Sequence, residues 1–347
     1  MKNTVFGNEK RPVLTIVMDG VGYTPNKTGN AVAAADTPTL DMLWEKYPHV
    51  LLKAHGTAVG LPSDDDMGNS EVGHNALGAG QVFAQGAKLV SQAITSGKMF
   101  DSATWKELVA NVKDNNTVLH FLGLFSDGNV HSHIDHLKAM IVRAKQDGVK
   151  TVRIHILLDG RDVGETSALE YIDPFEEFLA SLNDSGFDAR IASGGGRMVI
   201  TMDRYEANWK MVEEGWNTHV CGEGRFFDSA ADAVKTYRAE TGKIDQDLPP
   251  FVIAKDGKPV GTINDGDSVI FFNFRGDRAL EISRAFENRD CRFEKKKNVN
   301  VLYAGMLEYD GDAHIPHKYL VSPPEITGTM SEFLVNHGYR QLAISET

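Results

Sequence analysis

Four short apolar segments, each ending in a polar turn that contains glycine, constrain the fold of this chain more than any other feature. They span residues 13–18, 118–124, 152–158 and 269–274. Segments of helical periodicity lie between them, such as residues 134–144. Buried strands that alternate with helices predict an α/β fold with a parallel sheet. Polar turns directly after such strands predict a functional site at their carboxyl ends.

Length, composition and charge narrow the class of protein. The chain has 347 residues, which favours two domains, and its 41% hydrophobic and 24% charged residues are ordinary for a globular protein. Its apolar segments are far shorter than the ~20 residues of a membrane span. A net charge of −12 opposes binding to nucleic acid or anionic membranes. With two cysteines, Cys221 and Cys291, a reducing compartment is favoured, so we expect a cytoplasmic protein.

Two stretches are candidate hinges between domains. Residues 77–80 are small and glycine-rich, and residues 322–324 contain two consecutive prolines. If both are linkers, an inserted domain lies between them and the two ends of the chain belong together. The last residues stop directly after a strand-like apolar start, so we expect the chain to be part of a longer protein.

Two polar residues in the first quarter of the chain are candidates for chemistry. Asp19 follows the first predicted strand and could bind a metal ion, although an aspartate in this position also forms turns. Ser70 precedes a predicted helix, where the partial positive charge of the helix start favours an alkoxide or a phosphate. A serine hydroxyl becomes a nucleophile only beside a base or a metal. Alternatively, Ser70 only caps the helix.

Several cationic side chains in predicted loops point to an anionic substrate. Guanidinium groups bind carboxylates and phosphates through paired hydrogen bonds, whereas arginines in surface ion pairs contribute little. Of three neighbouring histidines, we assign a substrate contact to His131 and structural roles to His133 and His136. The arginines beside glycine or aspartate are Arg161, Arg197, Arg204, Arg275 and Arg278.

Together, these segments resemble the cofactor-independent (2,3-bisphosphoglycerate-independent) phosphoglycerate mutases, and most closely the plant-like branch of that family. The strings Gly-Asn-Ser-Glu-Val-Gly-His and Asp-Gly-Arg-Asp are too specific for chance agreement. The matching segments follow the order of the family over essentially the whole length. They are residues 17–20, 67–74, 126–133, 158–163, 193–197, 202–205, 273–278 and 344–347.

The resemblance implies an alkaline-phosphatase-like domain, residues 1–84 and 321–347, interrupted by an inserted α/β transferase domain, residues 85–320. It implies an isomerase that interconverts 3-phosphoglycerate and 2-phosphoglycerate through a phosphoserine, in glycolysis and gluconeogenesis. Two divalent metal ions are implied, Mn²⁺ foremost with Mg²⁺ or Co²⁺ as alternatives, and no 2,3-bisphosphoglycerate. We expect a monomer whose partner is the phosphoglycerate.

The resemblance also implies roles for single residues. Ser70 would be phosphorylated and would share a metal ion with Asp19, and Asp162 would handle the proton of the glycerate hydroxyl. The remaining metal ligands and a lysine are expected beyond Thr347, so the 347 residues alone are expected to be inactive. A metal-dependent phosphatase and a non-catalytic phosphoglycerate-binding fragment remain alternatives. The substrate would be held by His131, Arg161, Asp162, Arg197, Arg204, Arg275 and Arg278.

Overall fold

The computed structural model describes residues 12–61, 63–65, 67–68, 70–84, 86–322 and 326–344. In these ranges the strands form one sheet, which confirms the predicted α/β class. The strands are β1 (Leu119–Phe125), β2 (Thr151–Leu158), β3 (Asp188–Gly196), β4 (Arg225–Phe227), β5 (Phe251–Lys255), β6 (Lys258–Pro259), β7 (Ser268–Phe271) and β8 (Leu302–Gly305). The α-helices are α1 (Ala31–Ala34), α2 (Pro38–Lys46), α3 (Ser70–Ala79), α4 (Gly86–Thr95), α5 (Lys98–Asp101), α6 (Ala103–Asn115), α7 (Ile134–Gln146), α8 (Ala168–Leu182), α9 (Trp209–His219), α10 (Ala230–Thr241), α11 (Leu280–Phe286) and α12 (Met330–Asn336).

The order of the strands reverses near the middle of the sheet. The order is β4-β5-β3-β2-β1-β7-β8, with β6 paired to β5. The central strand β1 is parallel to both of its neighbours, β2 and β7. The chain steps outward from β1 to β3 on one side and from β7 to β8 on the other. Open α/β sheets bind ligands at the carboxyl ends of the strands where the order reverses in this way, here between β1 and β7.

Side chains that alternate along β1 divide the core into two layers. Leu119, Phe121 and Phe125 pack against helices α4 to α8 and α10. Leu122 and Leu124 point to the opposite face, which α9 and α11 cover. Each fully buried leucine or phenylalanine stabilises the fold by about 1.5–3 kcal/mol. Both faces are therefore covered, as the uniformly apolar strands in the sequence predict.

The predicted strands and helix of the central region are confirmed, with one difference in length. Residues 118–124 and 152–158 correspond to β1 and β2, and residues 134–144 lie in α7. The strand predicted over residues 269–274 ends earlier, at Phe271. The residues after Phe271 turn toward the loop that follows β1, because the Phe274 N–H donates to the carbonyl of His131 at 2.7 Å. This change of direction brings the next loop over the carboxyl end of β1.

The strand predicted at the start of the chain is wrong. Residues 13–18 form no strand, and Val13 is 91% exposed. A strand needs a neighbour for its backbone N–H and C=O groups, and no strand in the described ranges pairs with this segment.

The two predicted hinges stay predictions. Residues 77–79 are the last residues of α3, and the helix breaks at Gly80, within the first predicted hinge, where a φ of +65° suits glycine. Pro323 and Pro324 of the second predicted hinge lie outside the described residues.

The two ends of the chain meet outside the sheet. Helix α12 lies against α3. This contact agrees with the predicted pairing of the ends, while the division into two domains stays a prediction. Among the helices described, none has the length and apolar character to cross a membrane.

Candidate functional site

Four loops converge at the carboxyl ends of β1, β2, β3 and β7. Two of them approach so closely that only glycine fits between them: a Cβ on Gly128 would lie 2.9 Å from the Cβ of Asp162. The loops carry every arginine that the sequence analysis singled out, together with His131. The loops span residues 126–133, 159–163, 197–204 and 273–278.

A buried carboxylate, Asp159, organises the first half of this site. Arg197 is only 1% exposed and donates from Nη1 to Asp159 Oδ1 at 2.9 Å and also to Asp162 Oδ2. Asp159 accepts a further bond from Ser126 Oγ at 2.6 Å, and its Oδ1 accepts the backbone N–H groups of Arg161 and Asp162. Removing one partner of such a buried pair typically costs about 3–5 kcal/mol. Arg197 is therefore held rigidly before any ligand arrives.

A second carboxylate, Asp277, gathers the other half. Its oxygens lie 3.2 Å from Arg275 Nε, 3.4 Å from Arg204 Nε and 3.6 Å from His131 Nδ1. The Arg204 guanidinium also stacks over the ring of Tyr205 at 4.4 Å, a favourable cation–π geometry. Asp277 thus lies close to side chains from three loops and forms ion pairs with Arg275 and Arg204.

The remaining two arginines occupy different depths. Arg278 is half-buried and donates from Nη1 to the carbonyl of Met202 at 2.8 Å. Burial, reinforced by Arg197, lowers the pKa of the Arg278 guanidinium. Arg161 is exposed and lies at the rim, close enough to add to this repulsion. The structure therefore brings all five predicted arginines to one edge of the sheet.

His131 is neutral at the centre of this arginine cluster. The side chain is 4% exposed, and burial together with Arg197, Arg275 and the other nearby arginines lowers its pKa to about 2. A neutral imidazole can donate or accept a hydrogen bond with a ligand without adding a positive charge to the site. The four loops carry five arginines and five aspartates, so their formal charges balance: the aspartates are Asp127, Asp159, Asp162, Asp203 and Asp277. Guanidinium groups gathered in this way can still bind the carboxylate or phosphate of a small anion through paired hydrogen bonds.

Ser70 and Asp19 meet at the start of α3, although 51 positions separate them. Ser70 is the first residue of that helix, and its hydroxyl donates to Asp19 Oδ2 at 2.8 Å. His74, one turn further along, places Nδ1 3.1 Å from the same hydroxyl. Ser70 thus has a carboxylate and an imidazole within reach. His74 was not assigned to the site from the sequence, although its spacing of four residues from Ser70 predicts a shared helix face.

Asp19 and Ser70 alone do not form a complete metal site. Carboxylate and hydroxyl oxygens suit a hard divalent cation. Such a cation takes about four to six ligands, however, and the part of the chain that the structure describes holds no cluster of three or more His, Cys, Asp or Glu side chains able to bind one. Asp19 and Ser70 would therefore need further ligands to hold a metal ion.

Helix α3 and the arginine loops border one cavity. Val72, two residues after Ser70, lines a cavity of about 20 Å³ together with Val130, Phe274 and Arg275. The helix that begins at Ser70 and the loop that carries Arg275 therefore face each other across this cavity.

The two histidines that follow His131 have partners within the fold. His133 caps α7 by accepting the Asp135 N–H, and His136 shares a hydrogen bond of 2.8 Å with Ser91. These contacts agree with the structural roles predicted for both residues, which stay a prediction. Asp159 and Asp277 were not assigned to the site from the sequence. Their positions beside Gly160 and between two arginines were the available signal.

Residues 90–311, which include the four loops, match the family model described as the N-terminus of the BPG-independent phosphoglycerate mutases. The chain belongs to this family. The resemblance deduced from the sequence is thereby confirmed.

Relatives agree along nearly the whole chain. A probable 2,3-bisphosphoglycerate-independent phosphoglycerate mutase of Leptospira interrogans is 59% identical over 341 residues, 97% of this chain and 62% of the relative. The enzymes of Trypanosoma brucei brucei and Arabidopsis thaliana are 50% and 49% identical over 97% of this chain. The chain spans about three fifths of the length of these relatives.

A solved structure supports the same assignment. The phosphoglycerate mutase of Leishmania mexicana, crystallised at low cobalt concentration, is 48% identical and superimposes with a TM-score of 0.87. The match covers 93% of this chain and 59% of that enzyme.

Proposed function

We propose that this chain binds phosphoglycerate for a 2,3-bisphosphoglycerate-independent phosphoglycerate mutase, an isomerase that interconverts 3-phosphoglycerate and 2-phosphoglycerate in glycolysis and gluconeogenesis. The observation that carries the proposal is the cluster of arginines around a neutral His131 at the edge of the sheet. A phosphoglycerate carries a carboxylate and a phosphate. Both groups pair with guanidinium forks, so one small molecule can engage several arginines at once.

The buried Arg197 supports this assignment. Its Nη1 is already bonded to Asp159 and Asp162, whereas its Nε is buried without a hydrogen-bond partner in the described residues. A buried donor without an acceptor costs roughly 1–3 kcal/mol. An oxygen of a bound ligand would satisfy it. We assign substrate binding to His131, Arg161, Asp162, Arg197, Arg204, Arg275 and Arg278.

Ser70 and Asp162 are the residues we assign to the chemistry. The Ser70 hydroxyl would pass its proton to Asp19, to which it is hydrogen-bonded, and attack phosphorus as the bond to the glycerate oxygen breaks. Asp162, held by Arg197 within the cluster, would donate a proton to the departing glycerate oxygen and accept one from the other hydroxyl when that hydroxyl takes the phosphoryl group back. The proton on Asp19 would then return to Ser70. Glycerate would stay in the cleft between the two half-reactions.

We further propose the setting in which the site operates. Asp19 and Ser70 would supply ligands to one of two divalent metal ions, Mn²⁺ in first place, with Mg²⁺ or Co²⁺ as alternatives, and further ligands are needed. 2,3-bisphosphoglycerate would not be required. Residues 85–320 would form the substrate-binding domain, and residues 1–84 and 321–347 would belong to the phosphoserine domain. The protein would be a cytoplasmic monomer without nucleic-acid or membrane partners.

Isothermal titration of the chain with 3-phosphoglycerate tests the binding site. Arg197→Lys keeps the charge but loses the planar fork, so the affinity should fall roughly tenfold to a hundredfold, the value of a charged hydrogen bond. Arg190→Lys is the matched control, because Arg190 lies near the opposite end of β3 and pairs with Asp188. Equal affinities of the two variants would refute the proposed site.

Products distinguish the remaining functions. A mutase converts 3-phosphoglycerate to 2-phosphoglycerate without release of inorganic phosphate, whereas a phosphatase releases phosphate in proportion to turnover. Binding without either reaction would identify the chain as the substrate-binding part alone.

A further inference from the structure

A continuous chain of buried polar side chains crosses the core behind the site. It links Asp267, at the start of β7, to Thr201, in the loop that follows β3. The mechanism proposed above uses none of its members. Successive distances are 3.1 Å from Asp267 Oδ2 to His120 Nε2, 2.9 Å from His120 Nδ1 to His155 Nε2, 2.7 Å from His155 Nδ1 to Ser193 Oγ, 2.7 Å from Ser193 Oγ to His219 Nδ1 and 3.2 Å from His219 Nε2 to Thr201 Oγ1.

When Asp267 is an ionised carboxylate, each hydrogen bond in the series from Asp267 to Thr201 has only one possible donor and one possible acceptor. A carboxylate only accepts, so His120 must donate from Nε2, and its Nδ1 must accept from His155. The same logic passes through Ser193 to His219, whose Nε2 must then accept from the Thr201 hydroxyl. Each neutral imidazole donates once and accepts once. Burial lowers the pKa of all three histidines, that of His219 to about 3, which keeps them neutral.

Thr201, the last residue in this series of hydrogen bonds, has a strained backbone. Its φ is +70°, a region that β-branched residues rarely adopt, and its side chain is completely buried. Two bonds hold it there: His219 accepts its hydroxyl, and the Met211 carbonyl accepts its N–H at 2.8 Å. Gly215 makes room for it, since a Cβ at that position would lie 2.2 Å from Thr201 Oγ1. Strain of this kind persists where the surroundings impose it, often at functional sites.

The residues directly after Thr201 belong to the arginine cluster. The Met202 carbonyl accepts the Arg278 guanidinium at 2.8 Å, and Arg204 follows two positions later. A change in the backbone of Thr201 would therefore move the acceptor of one arginine and the attachment point of another.

We infer that Thr201 is a positioning residue for substrate binding, fixed by the one-way hydrogen-bonded chain that ends at Asp267. The identity of the ligand in this inference rests on the proposed function, whereas the contacts of Thr201 do not depend on it. Thr201 itself need not touch the substrate. Its role is to hold the backbone at residues 201–204 so that Arg278 and Arg204 stay in place.

Two variants of Thr201 and one control test the inference by titration with 3-phosphoglycerate. Thr201→Val keeps the shape but leaves His219 Nε2 without its donor, so the dissociation constant should rise roughly tenfold. Thr201→Ser restores the hydroxyl and should stay within about threefold of the parent. Ser268→Ala removes a buried hydroxyl on the opposite face of the sheet, where it bonds to Leu108 and Asn111, and should leave affinity unchanged. Equal affinities of the valine and serine variants would overturn the inference.

Nitrogen-15 spectra of the histidine rings test the chain without any ligand. We expect neutral rings protonated at Nε2 in His120 and His155 and at Nδ1 in His219. In Thr201→Val the Arg278 Nε–H resonance should also shift, and it should not shift in Ser268→Ala. The opposite tautomers, or an unmoved Arg278 signal, would refute the positioning role. If the parent chain fails to bind 3-phosphoglycerate while these signals behave as expected, the proposed function fails and the positioning of the loop stands.

Discussion

Acidification from about pH 7.5 to about pH 5 should destabilise the fold through histidines that are buried in the neutral form. Burial and nearby arginines lower the pKa of His131 to about 2, and burial lowers that of His219 to about 3. An unfolded chain protonates both near the ordinary pKa of 6.5. The stability that the protein gains from keeping these histidines neutral is therefore complete above pH 6.5. It is lost as the pH falls from 6.5 toward the pKa of the histidines in the folded state.

The size of the loss follows from proton linkage. At pH 5 a histidine that stays neutral in the folded state and has an ordinary pKa in the unfolded state costs about 2 kcal/mol of unfolding free energy. Replacing one such histidine should therefore reduce the acid-induced loss of unfolding free energy by about 2 kcal/mol. Since domains are stable by only about 5–15 kcal/mol, the difference is large enough to measure.

The assay is urea unfolding at both pH values, followed by tryptophan fluorescence, since Trp105 and Trp216 are buried in the two core layers. His131→Gln should lose about 2 kcal/mol less stability between the two pH values than the parent does. His49→Gln, which replaces an exposed histidine, should lose as much as the parent. An identical loss in His131→Gln and the parent would refute the buried neutral state of His131.

Three further substitutions test single contacts in the site. Arg278→Lys cannot keep both the Met202 carbonyl and a ligand in a planar fork, so titration should show roughly tenfold to hundredfold weaker binding of 3-phosphoglycerate; an unchanged affinity would place Arg278 outside the site. Gly128→Ala places a methyl group 2.9 Å from Asp162 Cβ and should cost about 1–3 kcal/mol in urea unfolding, and a neutral result would contradict the close packing of the loops. In the full-length protein, Ser70→Ala removes the proposed phosphate acceptor, so mutase turnover should vanish in a coupled assay, and turnover within about tenfold of the full-length parent would contradict a nucleophilic Ser70.

Local patterns were sufficient to predict the central sheet and the convergence of the loops at its carboxyl edge. Apolar runs such as residues 152–158 are buried on both faces, and an uninterrupted run of this kind is typical of a parallel strand. The loops after such strands share one edge by topology, so arginines at positions 197 and 278 could be expected together. The same reasoning failed for residues 13–18, because a strand also depends on a partner that its own sequence does not contain.

The contacts that organise the site could not be predicted in this way. Asp277 holds Arg204 and Arg275 only because the chain turns inward after β7. The buried series of hydrogen bonds from Asp267 to Thr201 joins residues from three strands, two loops and a helix. His120 and His155, taken by themselves, are isolated polar residues in apolar segments. His120 and His155 lie within β1 and β2, and their register across the sheet is what brings their rings together.

A crystal structure of this chain with 3-phosphoglycerate tests the central claim most directly. We predict that the carboxylate and phosphate oxygens lie about 3 Å from guanidinium nitrogens of Arg197, Arg204, Arg275 and Arg278, with His131 within hydrogen-bonding distance. A ligand bound away from the carboxyl ends of β1, β2, β3 and β7 would contradict this prediction, as would a structure in which these four arginines keep only their partners within the protein.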